Sequence, residues 1–435
     1  MKKIFIICFL FFSIKGQSSI ILEEFGAQQF SKMPLLVGLI HPDRELKKIA
    51  KVLKNDLEFT QQFEVTIQKV RSVESKDQIV QFSHEGFSLV VFLQPDEKAG
   101  GYTWRMYDTL DARMVKGKNV STHETGRVVA HHIADELWPE LTSAPGFFST
   151  KIVYGKQVCR LGRNCKKNIC IRDATDVTGE SEQVLVSTPT INIVPRWNRD
   201  PHHPLILFSQ YQPANIALVS VDMQGHRKIV SNFDGVNMQV AYSPEGKQVV
   251  YCLSQSPRKE FTPHITSQLY YYSVDPITHK NIFKKITHNP GNNFGPCWGP
   301  EETIFYSSDA TKNGMPNICW HNLKDNSVSW LTSNSYAASP HYSQAANRLV
   351  YTKMVNKKMQ LWMYDLNSKE HEQITFDNTD KDDCSWSPCG NMISYSMEEK
   401  GHARVALFNV KTKQHYFITA EGEDCSYPAW SPYYL

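Results

Sequence analysis

The sequence predicts a small α/β domain followed by an all-β six-bladed propeller built from WSPDG-type repeats and closed by strands from both of its ends. Three observations predict it. An aromatic marker recurs at Trp197, Tyr242, Trp298, Tyr342, Trp386 and Trp430, with spacings of 45, 56, 44, 44 and 44 residues. Each period holds about four short β-rich runs, the size of a propeller blade. Before residue 149 the pattern changes to buried-type strands alternating with apolar helix faces.

The chain opens with Met1-Lys2-Lys3 and an unbroken apolar run from Ile4 to Phe12. That run is too short to span a bilayer and has the shape of a signal peptide, so residues 1–16 are expected to be removed. No later stretch is long enough for a transmembrane helix. Lys2, Lys3 and Lys15 are the charged residues of the signal, and without them 44 basic residues face 44 acidic ones. No basic stripe is left to neutralise phosphates, which argues against nucleic acid as a partner. Nine of the ten cysteines follow the signal. Export permits disulfides, and the odd count leaves at least one thiol over. One or two disulfides or buried free thiols both fit. The C-x4-C spacings of Cys159/Cys165/Cys170 and Cys384/Cys389 do not make a zinc set.

Residues 17–149 read as the α/β domain. Leu35 to Ile40 is a buried-type strand. Asp43 to Phe59 follows, with Leu46, Ile49, Ala50, Leu53 and Leu57 on one helix face. Ser88 to Leu93 is another strand. Tyr102 to Asp108 and Ala112 to Asn119 form a hairpin around Thr109-Leu110-Asp111. Thr125 to Trp138 places Val129, Ala130, Ile133, Ala134 and Leu137 on one face, with Pro139 expected to end the helix. Ala144-Pro145-Gly146 marks the boundary.

Residues 150–435 carry the repeat. The aromatic on each first strand is expected to fill the space between neighbouring blades. Ser243-Pro244-Glu245-Gly246 and Ser387-Pro388-Cys389-Gly390 suit tight turns, since proline presets φ and glycine supplies φ > 0. Apolar-Thr ends recur at Ile286-Thr287, Leu331-Thr332, Ile374-Thr375 and Ile418-Thr419. The longer period holds an insertion at Ser254 to Ser267. The last unit has only its first strand. Lys151 to Tyr154, Asn168 to Asp173 and Gln183 to Val186 supply three more, so the ring would close by joining the chain end to the propeller start.

At this point the chain resembles the TolB family, the periplasmic component of Tol–Pal systems. The ending Tyr427-Pro428-Ala429-Trp430-Ser431-Pro432-Tyr433 is close to that family's terminal motif. So is the junction: His132, Ala134, Asp135 and Glu136, then Leu141-Thr142, Gly146, Phe148 and Thr150 to Tyr154. The resemblance covers nearly the whole mature chain. It implies a monomeric periplasmic adaptor that binds a Pal-like lipoprotein at one mouth of the propeller and supports outer-membrane integrity and cell division. It also implies contact between the mature N-terminal segment and a TolA-like inner-membrane protein. Carried over by position, the partner-facing loops hold Val236, Asn237, Gln239, Asn292, Asn293, Phe294, Tyr336, Lys381 and Asp382. Departures are Tyr242 and Tyr342 in place of tryptophan, Cys389 in place of aspartate, several unusual cysteines, and a poorly matching segment from Gln17 to Gln29.

An enzyme or a glycan-binding protein is the alternative, and the residues offer the enzyme little. No Gly-x-Ser-x-Gly elbow occurs. His84-Glu85, His123-Glu124 and His371-Glu372 lack the second histidine of a zincin site. His131-His132 are adjacent on a helix and point to different sides. His202-His203 lack a matching carboxylate or cysteine nearby. Asp380, Asp382 and Asp383 lack the calcium-loop pattern with its closing glutamate. No cofactor, metal site or catalytic residue is therefore expected.

Overall fold

The computed structural model describes residues 32–434 apart from 73–74, 97–99, 122–123, 160–164, 201, 256–265 and 276–277. The signal peptide, the segment 17–29 and most of the 254–267 insertion lie outside the described residues. The chain divides into two compact units, 1–146 and 147–435.

The first unit is a five-stranded sheet with three helices. Strands β1 (Met33–Ile40), β2 (Phe63–Val70), β3 (Leu89–Asp96), β4 (Gly101–Asp108) and β5 (Arg113–Ser121) take the order β2-β1-β3-β4-β5. β1 pairs in parallel with β2 and β3, and β3, β4 and β5 are antiparallel. Helix α1 (Arg44–Phe59) buries the predicted face of Leu46, Ile49, Ala50, Leu53 and Leu57. Asp43 caps it: its Oδ1 accepts the N–H of Leu46 at 2.6 Å. Helix α2 (Lys76–His84) and strand β2 were not foreseen. Helix α3 (Gly126–Thr142) runs through Pro139, which corrects the expected end. Proline removes one N–H, but the last turn is held elsewhere: Thr142 Oγ1 donates to the Trp138 carbonyl and Ser143, in the left-handed region, donates to that of Pro139. Between α1 and α3, buried His131 Nδ1 lies 2.8 Å from buried Asp56 Oδ2, a structural place for this histidine.

The second unit is a propeller of radially arranged antiparallel sheets. Four sheets have four strands and one has eight. The eight-stranded sheet holds the run from Asn192–Trp197 to Arg227–Ser231 and the run from Gly235–Tyr242 to Asn281–Lys285. A single parallel pair, Ile216↔Val236, joins the two runs. In another sheet the chain's last strand, Asp424–Trp430, pairs with Lys151–Val158, with Trp430 opposite Ile152.

The first, innermost strand of each four-strand run carries the marker at or next to its end. The markers pack between sheets, as Trp386 does among Val350, Leu361, Ile393 and Tyr395. They also bond across: Trp298 Nε1 donates to the Ala241 carbonyl at 2.9 Å and Trp197 Nε1 to that of Ala429 at 3.0 Å. The recurring threonines have a defined use. Thr287, Thr332, Thr375 and Thr419 each accept the N–H of Leu269, Ile318, Leu361 or Val405 through Oγ1, at 2.8–3.0 Å. That satisfies a buried donor near the start of the third strand. The cysteines divide between both readings. Cys159 and Cys165 form a disulfide, and Cys170, Cys252, Cys297, Cys319, Cys384, Cys389 and Cys425 are buried thiols.

Candidate functional site

The marker-bearing first strands of the runs begin on one rim of the second unit. Neighbouring strands are antiparallel, so the hairpins between second and third strands emerge on the same rim. Five residues before three of the markers, a buried polar side chain braces it. Asn237 Nδ2 donates to the Phe233 carbonyl, four residues back, at 2.7 Å. Asn293 Nδ2 donates to Asn289 Oδ1, four back, and to the Gly291 carbonyl, two back. Lys381 Nζ repeats this with Asp377 Oδ1 at 2.5 Å and the Thr379 carbonyl at 3.1 Å. All three side chains are fully buried. They are not open to a partner as expected from position; they hold the loops that precede them. A buried amide or ammonium has to spend its donors on nearby acceptors, and the preceding loop supplies them.

The other expected residues are at least partly accessible. Val236 is half-buried, and its N–H donates to Ser254 Oγ. Asn292 is tied to Asp309 and Ser267. Phe294 is half-buried against the Trp298 cluster. Gln239 Oε1 accepts the N–H of Gly295 on the next innermost strand at 2.7 Å. Asp382 is exposed, and its Oδ1 accepts from Ser339 Oγ and the Asp383 N–H, both at 2.8 Å. Burial, then the charge of Asp382, raises the Tyr336 hydroxyl pKa, so Tyr336 and Asp382 share one stretch of rim. Five apolar side chains that the sequence reading passed over stand exposed there: Tyr211, Phe233, Met315, Met354 and Phe376, the last 77% exposed.

A second feature repeats on the same strands. Three before each marker, the backbone adopts positive φ: Val194 (52°), Gln239 (52°), Gly295 (60°), Ser339 (55°), Asp383 (53°) and Tyr427 (59°). Each of these strands shows a register shift there. A bulge re-aims the side chain. Burial, then Asp382, pushes the Asp383 carboxyl up to about 8, against the pull of Arg196 and Lys167. Lys167 donates to Ser426 Oγ at 2.6 Å and lies 5.1 Å over the Tyr427 ring. Burial, then Arg199 and Arg196, presses His341 down to about 3, so its Nδ1 accepts the Trp386 N–H as a neutral ring. By surface, Arg196 and Asp383 are half-buried and Arg199 is exposed. Aligning the repeat in columns relative to its markers would have found them.

The described residues hold no group of three metal-ligating side chains. A cavity of about 390 Å³ in the first unit is lined by Trp104, Lys118, His132, Asp135 and Glu136 among others, and Lys118 is held by Glu136 at 2.5 Å. Among the described residues no helix is long and apolar enough to cross a membrane.

Residues 138–434 match the TolB beta propeller domain. The chain belongs to the TolB β-propeller family. Relatives include the Tol-Pal system protein TolB of Francisella tularensis subsp. mediasiatica (strain FSC147), 25% identical over 306 residues, which are 68% of this chain and 66% of that protein. The Rickettsia akari (strain Hartford) Tol-Pal system protein TolB is 25% identical over 271 residues, 58% of this chain and 59% of that one. The chain thus spans 66% and 59% of these two TolB relatives, less than two thirds of each. The crystal structure of TolB from Acinetobacter baumannii superposes with a TM-score of 0.74 at 19% identity, covering 93% of this chain and 98% of that one. At that identity the likeness shows the fold: an α/β region and a TolB propeller together.

Proposed function

We propose that this TolB-family protein is a periplasmic adaptor of a Tol–Pal system, and that its propeller rim binds a Pal-like lipoprotein in support of outer-membrane integrity and cell division. The observation that carries this reading is the composition of one rim in a chain of this family: exposed Tyr211, Phe233, Met315, Met354 and Phe376 around Tyr336 and acidic Asp382. Apolar anchors inside a polar surround suit a protein partner. In this reading the rim acts through Gln239, Tyr336 and Asp382 directly. Val236, Asn237, Asn292, Asn293, Phe294 and Lys381 act by shaping loops. The eight-stranded sheet is read as two blades, which makes six. Pairing of Asp424–Trp430 with Lys151–Val158 is read as the closure of the ring. Contact between residues 17–29 and a TolA-like protein is part of the same proposal, and so is function as a monomer without a catalytic site.

A pull-down of the mature chain with the Pal-like lipoprotein domain of its own species tests the reading. Binding is expected, and Phe376→Ser together with Asp382→Lys should weaken it by roughly tenfold or more, each anchor counting for about 1–2 kcal/mol. Failure to bind at tens of micromolar, roughly the weak end for a working adaptor, would reject the Pal assignment.

A further inference from the structure

Each four-strand run of the second unit ends in an outer strand with a partner on one side only. These strands are Gln183–Val186, Arg227–Ser231, Asn281–Lys285, Val328–Trp330, His371–Gln373 and His415–Phe417. An open edge offers unpaired N–H and C=O groups to another strand, and shortness is one defence against that. Three of the six have three residues. Arg227–Ser231 and Asn281–Lys285 have five, and of the six they alone carry cations: Arg227 and Lys228, Lys284 and Lys285. They also expose Ile229, Val230, Ile282 and Phe283.

Of the two, Asn281–Lys285 has the better-built edge. Phe283 stacks on Tyr270 of the neighbouring strand, with centroids 5.3 Å apart and planes at 12°. Phe233, from the turn after Arg227–Ser231, meets Phe283 at 6.4 Å. Both phenylalanines stay nearly half exposed. The ladder with Gln268–Val274 is regular, and just beyond it the Ile286 N–H donates to the Leu269 carbonyl. Antiparallel bonds alternate, so the backbone groups of Ile282 and Lys284 turn to that strand and those of Asn281, Phe283 and Lys285 turn outward. Lys284 is exposed and Lys285 half-buried, and neither has an ion-pair partner among the described residues. Three kinds of occupant come into question. A lipid surface would meet the cations and the apolar side chains but leave the outward carbonyls without donors. A second copy of this edge would bring the same cations and no acidic group. An extended acidic segment satisfies backbone, apolar and charged groups together. Lysines also guard an edge against neutral strands, which leaves an acidic strand as the kind it admits.

We propose that Asn281–Lys285 is a docking edge for an extended segment of a partner protein. The segment adds as a further antiparallel strand, with apolar residues against Ile282 and Phe283 and acidic residues against Lys284 and Lys285. This goes beyond the partner proposed for the rim and does not depend on it.

Fluorescence anisotropy of a dye-labelled peptide titrated with the full mature chain tests it. The peptide holds two glutamates, two valines and a threonine in that order between terminal glycines, which sets the glutamates opposite the two lysines in an antiparallel pairing. Saturable binding is expected below about 1 mM, roughly the weak limit for so short a strand. Proline in place of the valine opposite Phe283 removes a ladder donor and should weaken binding by about tenfold or more. Lys284→Glu combined with Lys285→Glu should do the same, since each attraction becomes a repulsion. Lys411→Glu, in a turn of another sheet, should bind like the parent. Thermal melts check that the variants fold; if the double variant does not, exposed Lys284→Gln decides the matter with an expected loss of about threefold. No saturable binding overturns the proposal, and so does a proline peptide or a folded lysine variant that binds as the parent does. Binding of the chain to phosphatidylglycerol vesicles but not to the peptide would assign the edge to lipid and overturn it as well.

Discussion

Lys381 illustrates how much a single position in a repeat can hide. Read alone, a lysine before a blade marker looks like a rim cation. Read in its column with Asn192, Asn237 and Asn293, it is a buried brace whose three donors reach Asp377 and Thr379. Its partners differ in sign: burial outweighs the bonds and lowers the Lys381 pKa, whereas for Asp377 burial raises and the bonds from Lys381 and Thr379 prevail to lower it. The geometry decides, because three acceptors surround a fully buried ammonium. Lys381→Ala should cost about 2–3 kcal/mol in chemical denaturation, and Lys381→Asn less, because three other units fold with asparagine. A loss for Lys381→Ala within the range of ordinary surface changes, about 0.5 kcal/mol, would return the residue to the rim. Asp383 makes the opposite case. Its folded pKa of about 8 lies above the usual carboxyl value near 4, so the folded state disfavours the charged form. Stability tied to Asp383 is therefore full below pH about 4 and is lost as pH rises toward 8. Asp383→Asn should melt higher than the parent at pH 8 and alike at pH 4; an equal gap at both would show that the carboxyl is not strained.

At the scale of the element, what was legible in the sequence depended on whether a feature repeats. The Ser-Pro-x-Gly turns stand out because Gly246 and Gly390 both take φ near 72–73°, and the N–H of each returns to the serine carbonyl three back. The apolar-Thr ends stand out because each threonine caps a neighbouring strand. By contrast β2 alternates only Phe63, Val65 and Ile67 with polar residues and sits at a sheet edge. α2 buries only Ile79 among its nine residues, so its periodicity is silent, although the Ser75/Gln78 capping box was there to be read. The bulge three residues before each marker was invisible for another reason. Its backbone favours glycine, yet five of the six positions carry side chains. Gly295 is the exception, and an added Cβ would meet nothing nearer than 3.8 Å. Gly295→Ala should therefore cost about 1 kcal/mol from backbone conformation alone, measured by denaturant titration. A cost well beyond that would mean that the glycine serves packing and not φ.

For the whole molecule, the repeat places the burden of integrity on the last few residues. Asp424–Trp430 covers the edge of Lys151–Val158 and lends the Ala429 carbonyl to Trp197, 232 residues away. Trp430 itself donates its backbone N–H to Ser385 Oγ and its indole N–H to Thr150 Oγ1 at 2.7 Å, while Phe147 packs on its ring. Tyr434 adds a bond to the Asn198 carbonyl. Removing residues 424–435 would expose a long strand edge, withdraw a buried tryptophan and leave Trp197 without its acceptor, so the shortened chain should lose cooperative melting and aggregate. A gentler pair separates the bonds of the last strand from mere loss of apolar area. Trp430→Phe keeps most of the burial and loses the bond to Thr150, for about 1 kcal/mol or more beyond the packing change. Trp386 occupies the same place in the preceding unit with an indole N–H that has no partner, so Trp386→Phe should cost only the packing change and regain the desolvation penalty of that group. Denaturation of both variants should therefore rank Trp430→Phe clearly below Trp386→Phe. Equal losses would show that the pairing between chain end and propeller start is no more demanding than the packing around Trp386.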